Sequence, residues 1–239
     1  MSTRETIGKG AGRVSQPTSP LVSGGERLTD LDRGKNPHDH PRLFDLGVEV
    51  DVADRLSVMA AFERVRADLG SVDILVTSAG IESLDPLSGI TVEKWDRIHA
   101  VNLTGTFSCA QAAASDVIAA GWGRIVMISS SSALSGAPNR AHYAASKGGV
   151  IALAKALAVE LAPSGITVNT IPPSLVDTPM ARQAEAAGDI PGVDVLAAMV
   201  PLRRAGTPAD IAAACSFLCS DGGSYITGQV IGVNGGMYI

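Results

Sequence analysis

The chain has 239 residues, a formal net charge of −5 and a pI near 5.3, and Lys and Arg are not concentrated in any stretch. Its length fits one α/β domain, and its acidic balance argues against nucleic acid or an anionic membrane surface as the main partner. Although 46% of the residues are hydrophobic, no run is long enough to cross a bilayer and no signal-peptide pattern is present, so we expect a cytoplasmic protein with no membrane role.

Residues 1–45 have no helical or strand-like periodicity. They hold only ten hydrophobic residues, against six glycines, four prolines and thirteen charged residues. This composition predicts an atypical, loop-rich or disordered N-terminal segment. From residue 46 onward, short Val- and Ile-rich runs alternate with longer Ala- and Leu-rich runs of helical period, as parallel βαβ units require.

Residues 46–239 are therefore expected to form one domain of alternating strands and helices. We predict five strands, at 48–52, 73–77, 124–129, 167–171 and 229–233, and helices at 54–69, 92–120 with a break near Asn102, 141–161 and 208–218. The stretch 174–202 contains Pro and Gly and is expected to be a mobile connection over a site. Parallel strands need crossover helices, so the predicted fold is α/β, a doubly wound parallel sheet with its ligand crevice at the carboxyl ends of the strands.

Tyr143 and Lys147 are four residues apart in a predicted helix and leave it on the same face. An ammonium group near a phenol favours the phenolate, so the spacing predicts a tyrosine whose pKa is lowered toward the range of a general acid/base. The same spacing also occurs by chance on amphipathic helices. A second signal is the serine run 129–132 at a strand exit, where Ser130 or Ser132, which share a face, would hold a carbonyl oxygen.

Several separate motifs of residues 46–239 resemble those of the short-chain dehydrogenase/reductase family. They are VDVAD at 50–54, ILVTSAGI at 74–81, VNLTGTF at 101–107, IVMISS at 125–130, YAASK at 143–147, VNTIPPSLVDTPM at 168–180 and GQVIGVNGGM at 228–237. The resemblance implies a single Rossmann-like domain that transfers a hydride between NAD or NADP and a secondary alcohol or ketone.

The resemblance also implies roles for individual residues. Tyr143 would be the catalytic acid/base, and Lys147 would lower its pKa and hold the nicotinamide ribose. Ser130 would position the substrate oxygen, and Asn102 would anchor a water that relays protons. The cofactor contacts that it implies, besides Tyr143 and Lys147, are Asp51 and Val52 at the adenine, Thr178 at the nicotinamide carboxamide, and Ala79, Gly80 and Val176.

The family's first strand leads into a glycine-rich turn that receives the cofactor pyrophosphate, and this unit is not recognisable here. Glycines within 8–12 follow no credible buried strand, and the strand-exit-like run 21–25 has no amphipathic helix after it. The run 28–33 resembles the end of the family's second strand, where an acid such as Asp30 favours NAD over NADP. Gly25 and Asp30 are too close for a crossover of about a dozen residues, so the first βαβ unit is predicted to be shortened or rebuilt.

Three explanations of this departure are open. In the first, the protein is an NAD(P)-dependent oxidoreductase with an unusual N-terminal segment, which the complete set of catalytic-position residues favours. In the second, it is a protein of this fold with lost or weakened cofactor binding that acts as a partner subunit or in cofactor-independent proton transfer, which the missing glycine turn favours. In the third, the N-terminus departs from the ancestral gene product through a deletion or a shifted reading frame.

The remaining candidates are weaker. His142 adjoins Tyr143 but is expected on the helix surface, and His38 with His40 lacks the further ligands of a metal site, so we expect no metal. The three cysteines stand in apolar runs and predict reduced core thiols, which favours the cytoplasm.

Two further expectations concern the substrate and the assembly. Small residues on the helices at 101–120 and 141–161 permit close packing between subunits, and the resemblance implies a homodimer or homotetramer built on these helices. The substrate pocket is expected between 133–142 and 174–202, and the apolar centre of the second stretch favours a hydrophobic or neutral ketone.

Overall fold

A computed structural model describes residues 46–238, and its centre is a parallel sheet of three strands. The strands β1 (Ile74–Thr77), β2 (Gly123–Ile128) and β3 (Ile166–Ile171) lie side by side in that order. In the register of the sheet, Ile125 of β2 stands opposite Leu75 and Val168. Because all three strands run in the same direction, their carboxyl ends meet at one edge of the sheet, where α/β proteins bind their ligands.

Within residues 46–238, eight α-helices connect and cover these strands. They are α1 (Arg55–Leu69), α2 (Val92–His99), α3 (Thr106–Ala120), α4 (Ser132–Ser135), α5 (Ala141–Leu161), α6 (Pro179–Ala186), α7 (Val193–Ala197) and α8 (Pro208–Cys219). Single 3₁₀ turns lie at Leu87–Gly89, Ala162–Ser164 and Asp221–Gly223. Four of these helices, α1, α2, α6 and α8, begin at side-chain caps. At α1, Asp54 accepts from Leu56 N at 2.9 Å, and at α8, Thr207 forms a capping box with Asp210.

Side chains alternate between the two faces of the sheet, and each face is covered by helices. On β2, Ile125 and Met127 pack into a buried cluster with α1, α3 and α5. The intervening Val126 points to the opposite face, where it packs with Cys215 and Leu218 of α8. The predicted α/β fold, a doubly wound parallel sheet in a single domain, is therefore confirmed.

The predicted break near Asn102 is confirmed, and it takes the form of a π-helical turn at Ala100–Gly105 between α2 and α3. Turns of this kind occur frequently at functional positions. Gly105 closes the turn against Val52, because a Cβ at Gly105 would lie 2.9 Å from the Val52 side chain. The turn holds Asn102 completely inside the protein.

Two of the predicted strands, at 48–52 and 229–233, are not part of the sheet. Residues 48–52 are not assigned as a strand, because none of the three described strands pairs with them. Residues 229–233 form only isolated parallel bridges, from Val230 to Thr170 and from Val233 to Pro173. Gln229 N donates to the Asn169 side chain at 3.0 Å instead of to a strand carbonyl. The expectation of five strands is therefore wrong for residues 46–238, where three are assigned.

The stretch 174–202, predicted to be a mobile connection over a site, contains the two short helices α6 and α7. The hydroxyl of Thr178 accepts from Ala181 N at 3.3 Å and caps α6. Arg182 then forms ion pairs with Asp177, with Glu185 and with Asp194 of α7. These contacts join the two short helices to each other and to the chain that follows β3.

Two glycines before β2 and β3 have positive φ values, 62° at Gly121 and 77° at Gly165. A Cβ at Gly165 would lie 2.6 Å from Gly121 O, whereas a Cβ at Gly121 would meet nothing within 4 Å. We expect Gly121→Ala to lower the free energy of unfolding by about 1–2 kcal/mol through φ alone, and Gly165→Ala to lower it by more. Urea denaturation of both variants measures the difference, and equal losses would contradict the close backbone contact.

Candidate active site

Lys147 lies at the carboxyl edge of the sheet, where α5 passes the end of β2. Its side chain is almost completely buried, with 4% of the residue exposed, and its Nζ donates to Ile128 O at 3.0 Å. The Ser129 hydroxyl donates to Lys147 O at 2.9 Å. Both the backbone and the side chain of Lys147 are therefore fastened to the end of β2, which fixes the ammonium group at the predicted ligand edge.

Asn102 fastens the chain after β1 to the same helix. Its Oδ1 accepts from Ile81 N at 2.9 Å, and its Nδ2 donates to Ile81 O at 3.0 Å and to Ser146 Oγ at 3.1 Å. Ser146 Oγ in turn donates to Tyr143 O at 2.8 Å. The amide group thus works as a clamp between the end of β1 and α5, and the expected role of Asn102 at a proton-relay water stays a prediction.

Tyr143 lies one helical turn before Lys147, and the side chain of Ser130, just after β2, is close enough to lower its pKa. Burial raises the pKa of Tyr143 to about 12, the charge of Glu82 acts in the same direction, and Ser130 and Arg140 act against them. The lowered tyrosine pKa predicted from the sequence is therefore wrong for this arrangement. The physical reason is that the phenol is desolvated and the Lys147 ammonium is directed at Ile128 O.

The ammonium of Lys147 is itself perturbed. Burial lowers the pKa of Lys147 to about 8, and the negative charge of Glu82 opposes this shift. The ordinary value for a lysine is 10.5. A lysine and a tyrosine whose pKa values are both this far from the ordinary ones, one helical turn apart at a ligand edge, are typical of a functional site.

Sequence reasoning missed two charged residues of this site. Glu82 comes directly after the motif at 74–81, and Arg140 comes three residues before Tyr143. Glu82 Oε2 and Arg140 Nη1 are 3.5 Å apart, and their side chains are only 16% and 22% exposed. The sequence does contain a signal for them, because each is a charged residue next to a motif that is expected in the protein interior. Charged side chains are rarely buried without a partner, so such a residue predicts an ion pair.

His142 is completely buried, so the predicted position on the helix surface is wrong. Its Nε2 lies 2.9 Å from Ser83 Oγ, and Ser83 donates to Asp85 Oδ2 at 2.7 Å. Because the serine proton is committed to the carboxylate, Nε2 is the donor to Ser83. Asp85 also pairs with Lys94 of α2, and its N–H donates to Asn139 O at 2.8 Å. The start of α5 is interior because α2 and the chain after β1 cover it.

The predicted cofactor residues occupy several places. Ala79 and Gly80 follow β1, and Gly80 lies against the Lys147 ammonium, whereas the others lie at the turn before α1 and at the start of α6. Asp51 Oδ1 accepts from Ala53 N at 3.0 Å, which closes the turn before α1. Val52 is buried against the π-helical turn, Val176 bridges to Gly206, and Thr178 caps α6.

The space beside Lys147 fits a ligand that carries hydroxyl groups. A Cβ at Gly80 would lie 3.3 Å from Lys147 Nζ and 3.4 Å from Asn102 Oδ1, so a side chain at this position would crowd the ammonium. An ammonium has three donors, and Ile128 O accepts one of them. Thr77 Oγ1, at the end of β1, is buried without a hydrogen-bond partner in the described part of the chain. This set of donors fits the ribose of a nicotinamide nucleotide.

Known proteins that are similar to this chain identify its family. Residues 35–238 match the family model described as enoyl-(acyl carrier protein) reductase. The chain is 40% identical over 218 residues to 3-oxoacyl-[acyl-carrier-protein] reductase MabA of Mycobacterium tuberculosis, which covers 91% of this chain and 85% of that protein. It is also 40% identical over 193 residues to D-threitol dehydrogenase of Mycolicibacterium smegmatis, with 81% and 73% covered. The chain belongs to the short-chain dehydrogenase/reductase family.

A solved structure titled ElxO with NADP bound is similar to this short-chain dehydrogenase/reductase at a TM-score of 0.74 and 30% identity, and the match covers 80% of this chain and 77% of that one. The family read from the motifs is thus confirmed, and the protein is an oxidoreductase of that family. The individual roles of Asn102, Ser130, Tyr143 and Lys147 stay predictions.

Some predicted features lie outside the described residues. These are the segment 1–45 as a whole, Asp30, and the pair His38 and His40. Within residues 46–238 we find no group of three His, Cys, Asp or Glu side chains arranged to bind a metal ion. In the same range, no helix combines the length and the apolar character that a membrane span requires.

Replacing Asn102 with alanine would leave the N–H and the carbonyl of Ile81 without their amide partner. A buried polar group without a partner costs about 1–3 kcal/mol, so we expect Asn102→Ala to lower the free energy of unfolding by at least that amount. Thr104→Ala, at an exposed position of the same π-helical turn, serves as the control, with an expected change within about 0.5 kcal/mol. Similar losses in urea denaturation of the two variants would contradict the clamp.

The buried ammonium predicts a pH dependence of stability. Between the folded pKa of Lys147, about 8, and the ordinary value of 10.5, the unfolded chain binds more protons than the folded one, so stability rises with pH through this window. From about pH 7 to pH 10, we expect the wild type to gain roughly 1–3 kcal/mol of unfolding free energy relative to Lys147→Met. Lys155→Met, at an exposed position of α5, should differ from the wild type by a constant amount. Parallel curves for the wild type and Lys147→Met would exclude a pKa this low.

Proposed function

We propose that the protein catalyses the NAD(P)-dependent interconversion of a secondary alcohol and a ketone, with Tyr143 as the general acid/base. The observation that carries this proposal is the group of Tyr143, Ser130 and Lys147 at the carboxyl edge of a parallel sheet. The names of the relatives, a reductase and a dehydrogenase, and the NADP of the similar structure support it.

In this proposal, residues at the carboxyl edge of the sheet hold the cofactor. Lys147 and Tyr143 bind its ribose, next to the side-chain-free position of Gly80. The other contacts come from Asp51, Val52, Ala79, Val176 and Thr178. When bound in its reduced form, the nicotinamide supplies the hydride that adds to the carbonyl carbon.

The side chains of this protein manage the proton and the charge on the substrate oxygen. As the carbonyl carbon gains the hydride, the electron pair of the C=O double bond moves to the oxygen. Ser130 donates a hydrogen bond to that oxygen, and Tyr143 transfers its proton to it, which gives the alcohol and a tyrosinate. The ammonium of Lys147, one helical turn away, stabilises the tyrosinate until solvent returns the proton. The raised pKa of Tyr143 keeps the phenol protonated before each reduction.

We also propose an assembly and a location. A homodimer or homotetramer built on α3 and α5 would cover Phe107, Ile118 and Val159, large apolar side chains that these helices expose. The three cysteines are buried thiols, which fits the reducing cytoplasm. The cofactor is NAD or NADP: Asp30 favours NAD, whereas the similar structure contains NADP.

Tyr143→Phe removes the transferred proton and keeps the ring. We expect kcat/KM for ketone reduction to fall by roughly 10²- to 10⁴-fold, measured by the loss of NAD(P)H absorbance with a panel of ketones and 3-oxoacyl thioesters. Tyr225→Phe, at a completely exposed position, is the matched control and should keep the activity of the wild type. Unchanged turnover in Tyr143→Phe would refute the role of Tyr143. A folded wild type without turnover on any substrate or cofactor would favour a partner subunit or cofactor-independent proton transfer.

A further inference from the structure

Glu82 is a largely buried acid beside the catalytic pair, and the mechanism above does not use it. It lies two residues after Gly80, the position where a Cβ would be 3.3 Å from Lys147 Nζ. Its carboxylate is 3.5 Å from the guanidinium of Arg140, which precedes Tyr143 by one helical turn. Glu82 therefore follows the backbone that lies against the ammonium, and its carboxylate pairs with a residue one helical turn before the phenol.

The segment that carries Glu82 is fastened at both ends. Before Glu82, the N–H and the carbonyl of Ile81 are both bonded to the Asn102 amide. After it, Ser83 and Asp85 contact the buried His142 of α5. The chain on both sides of Glu82 is therefore held in place, so the region that the Glu82 carboxylate can occupy does not depend on the ion pair with Arg140 alone.

We propose that Glu82 is a positioning residue for the reaction: its carboxylate supplies the negative charge that holds protons on Tyr143 and Lys147, which poises the site for carbonyl reduction. The inference rests on the proposed function. Reduction needs the phenol in its protonated form, since its proton goes to the substrate oxygen, whereas alcohol oxidation needs the phenolate as a base. A fixed negative charge favours the first state over the second.

The charged and titratable neighbours of the pair come from three elements. They are Glu82 and Asp85 after β1, Arg140 and His142 at the start of α5, and Lys94 of α2, while the end of β2 provides the hydroxyl of Ser130. Asp85 is neutralised by its pairing with Lys94. Glu82 raises the pKa of both Tyr143 and Lys147, and Arg140 lowers that of Tyr143. The two members of the ion pair thus act on the site with opposite signs.

Lys147 reports the charge of Glu82 without substrate or cofactor. The chain has five lysines, so carbon-13-labelled lysine side chains give few NMR signals, and the one that disappears in Lys147→Met belongs to Lys147. In the wild type we expect the titration midpoint of Lys147 at about 8. In Glu82→Gln we expect this midpoint to be lower by roughly half to one pH unit. Glu63→Gln, at an exposed position of α1, is the matched control and should leave the midpoint unchanged.

Arg140→Gln separates the effect of charge from that of structure. It breaks the same ion pair but removes the positive member, so we expect no lowering of the Lys147 midpoint. An unchanged midpoint in Glu82→Gln, or an equal lowering in both variants, would overturn the proposal. The titration requires no turnover, so it tests the effect of the Glu82 charge even if the protein reduces no ketone. Failure of the Glu82 proposal can therefore be distinguished from failure of the proposed oxidoreductase activity. With active enzyme, the pH profile of kcat/KM for alcohol oxidation should move to lower pH in Glu82→Gln, and a profile that does not move would also overturn it.

Discussion

The site depends on one buried ammonium group, that of Lys147, held against the end of β2. Taking a charge out of water is costly unless polar groups replace its hydration. Here the Ile128 carbonyl accepts one hydrogen bond and Glu82 supplies a favourable charge. The remaining cost is seen in the pKa of Lys147, which burial lowers to about 8. A structure that tolerates this cost must hold the lysine firmly, and the surrounding contacts do so.

Three sets of hydrogen bonds fix α5, the helix that carries Tyr143 and Lys147. The end of β2 holds it through Ser129 and the Lys147 side chain, and the end of β1 holds it through Asn102 and Ser146. The third set joins His142 to the chain after β1. All three come from segments that follow parallel strands, so the sheet sets the geometry of the site. The π-helical turn contributes by placing the Asn102 amide in the interior.

Features that depend on residues close together in the sequence can be predicted from it. The bounds of α5 were predicted correctly, and α1 begins after Asp54 as expected, because helical period and capping are local properties. The strands at 48–52 and 229–233 were not predictable in the same way. A strand exists only where a partner supplies a ladder of hydrogen bonds, and the sequence of one segment does not show where its partner lies.

In the site, too, local features are predictable from the sequence, whereas features set by distant parts of the chain are not. The spacing of Tyr143 and Lys147 predicted that they leave the helix on one face, but not that the Lys147 ammonium turns to Ile128 O, nor that burial raises the pKa of Tyr143. The prediction of His142 on the helix surface is wrong because α5 is apolar around much of its circumference, and the period of such a helix does not show which elements cover its first turn. Those elements are α2 and the chain after β1, and only the fold brings them there.

The central claim is that this buried lysine site holds a nicotinamide cofactor even though the glycine turn of the family is not recognisable in the N-terminal sequence. Isothermal titration calorimetry of the full chain with NADH and with NADPH, alongside a folded Lys147→Ala variant, tests it most directly. The account predicts that at least one cofactor binds the wild type and binds the variant at least about tenfold more weakly, as the loss of a charged hydrogen bond requires. A folded wild type that releases no heat with either cofactor, or equal affinity in the two proteins, would contradict it.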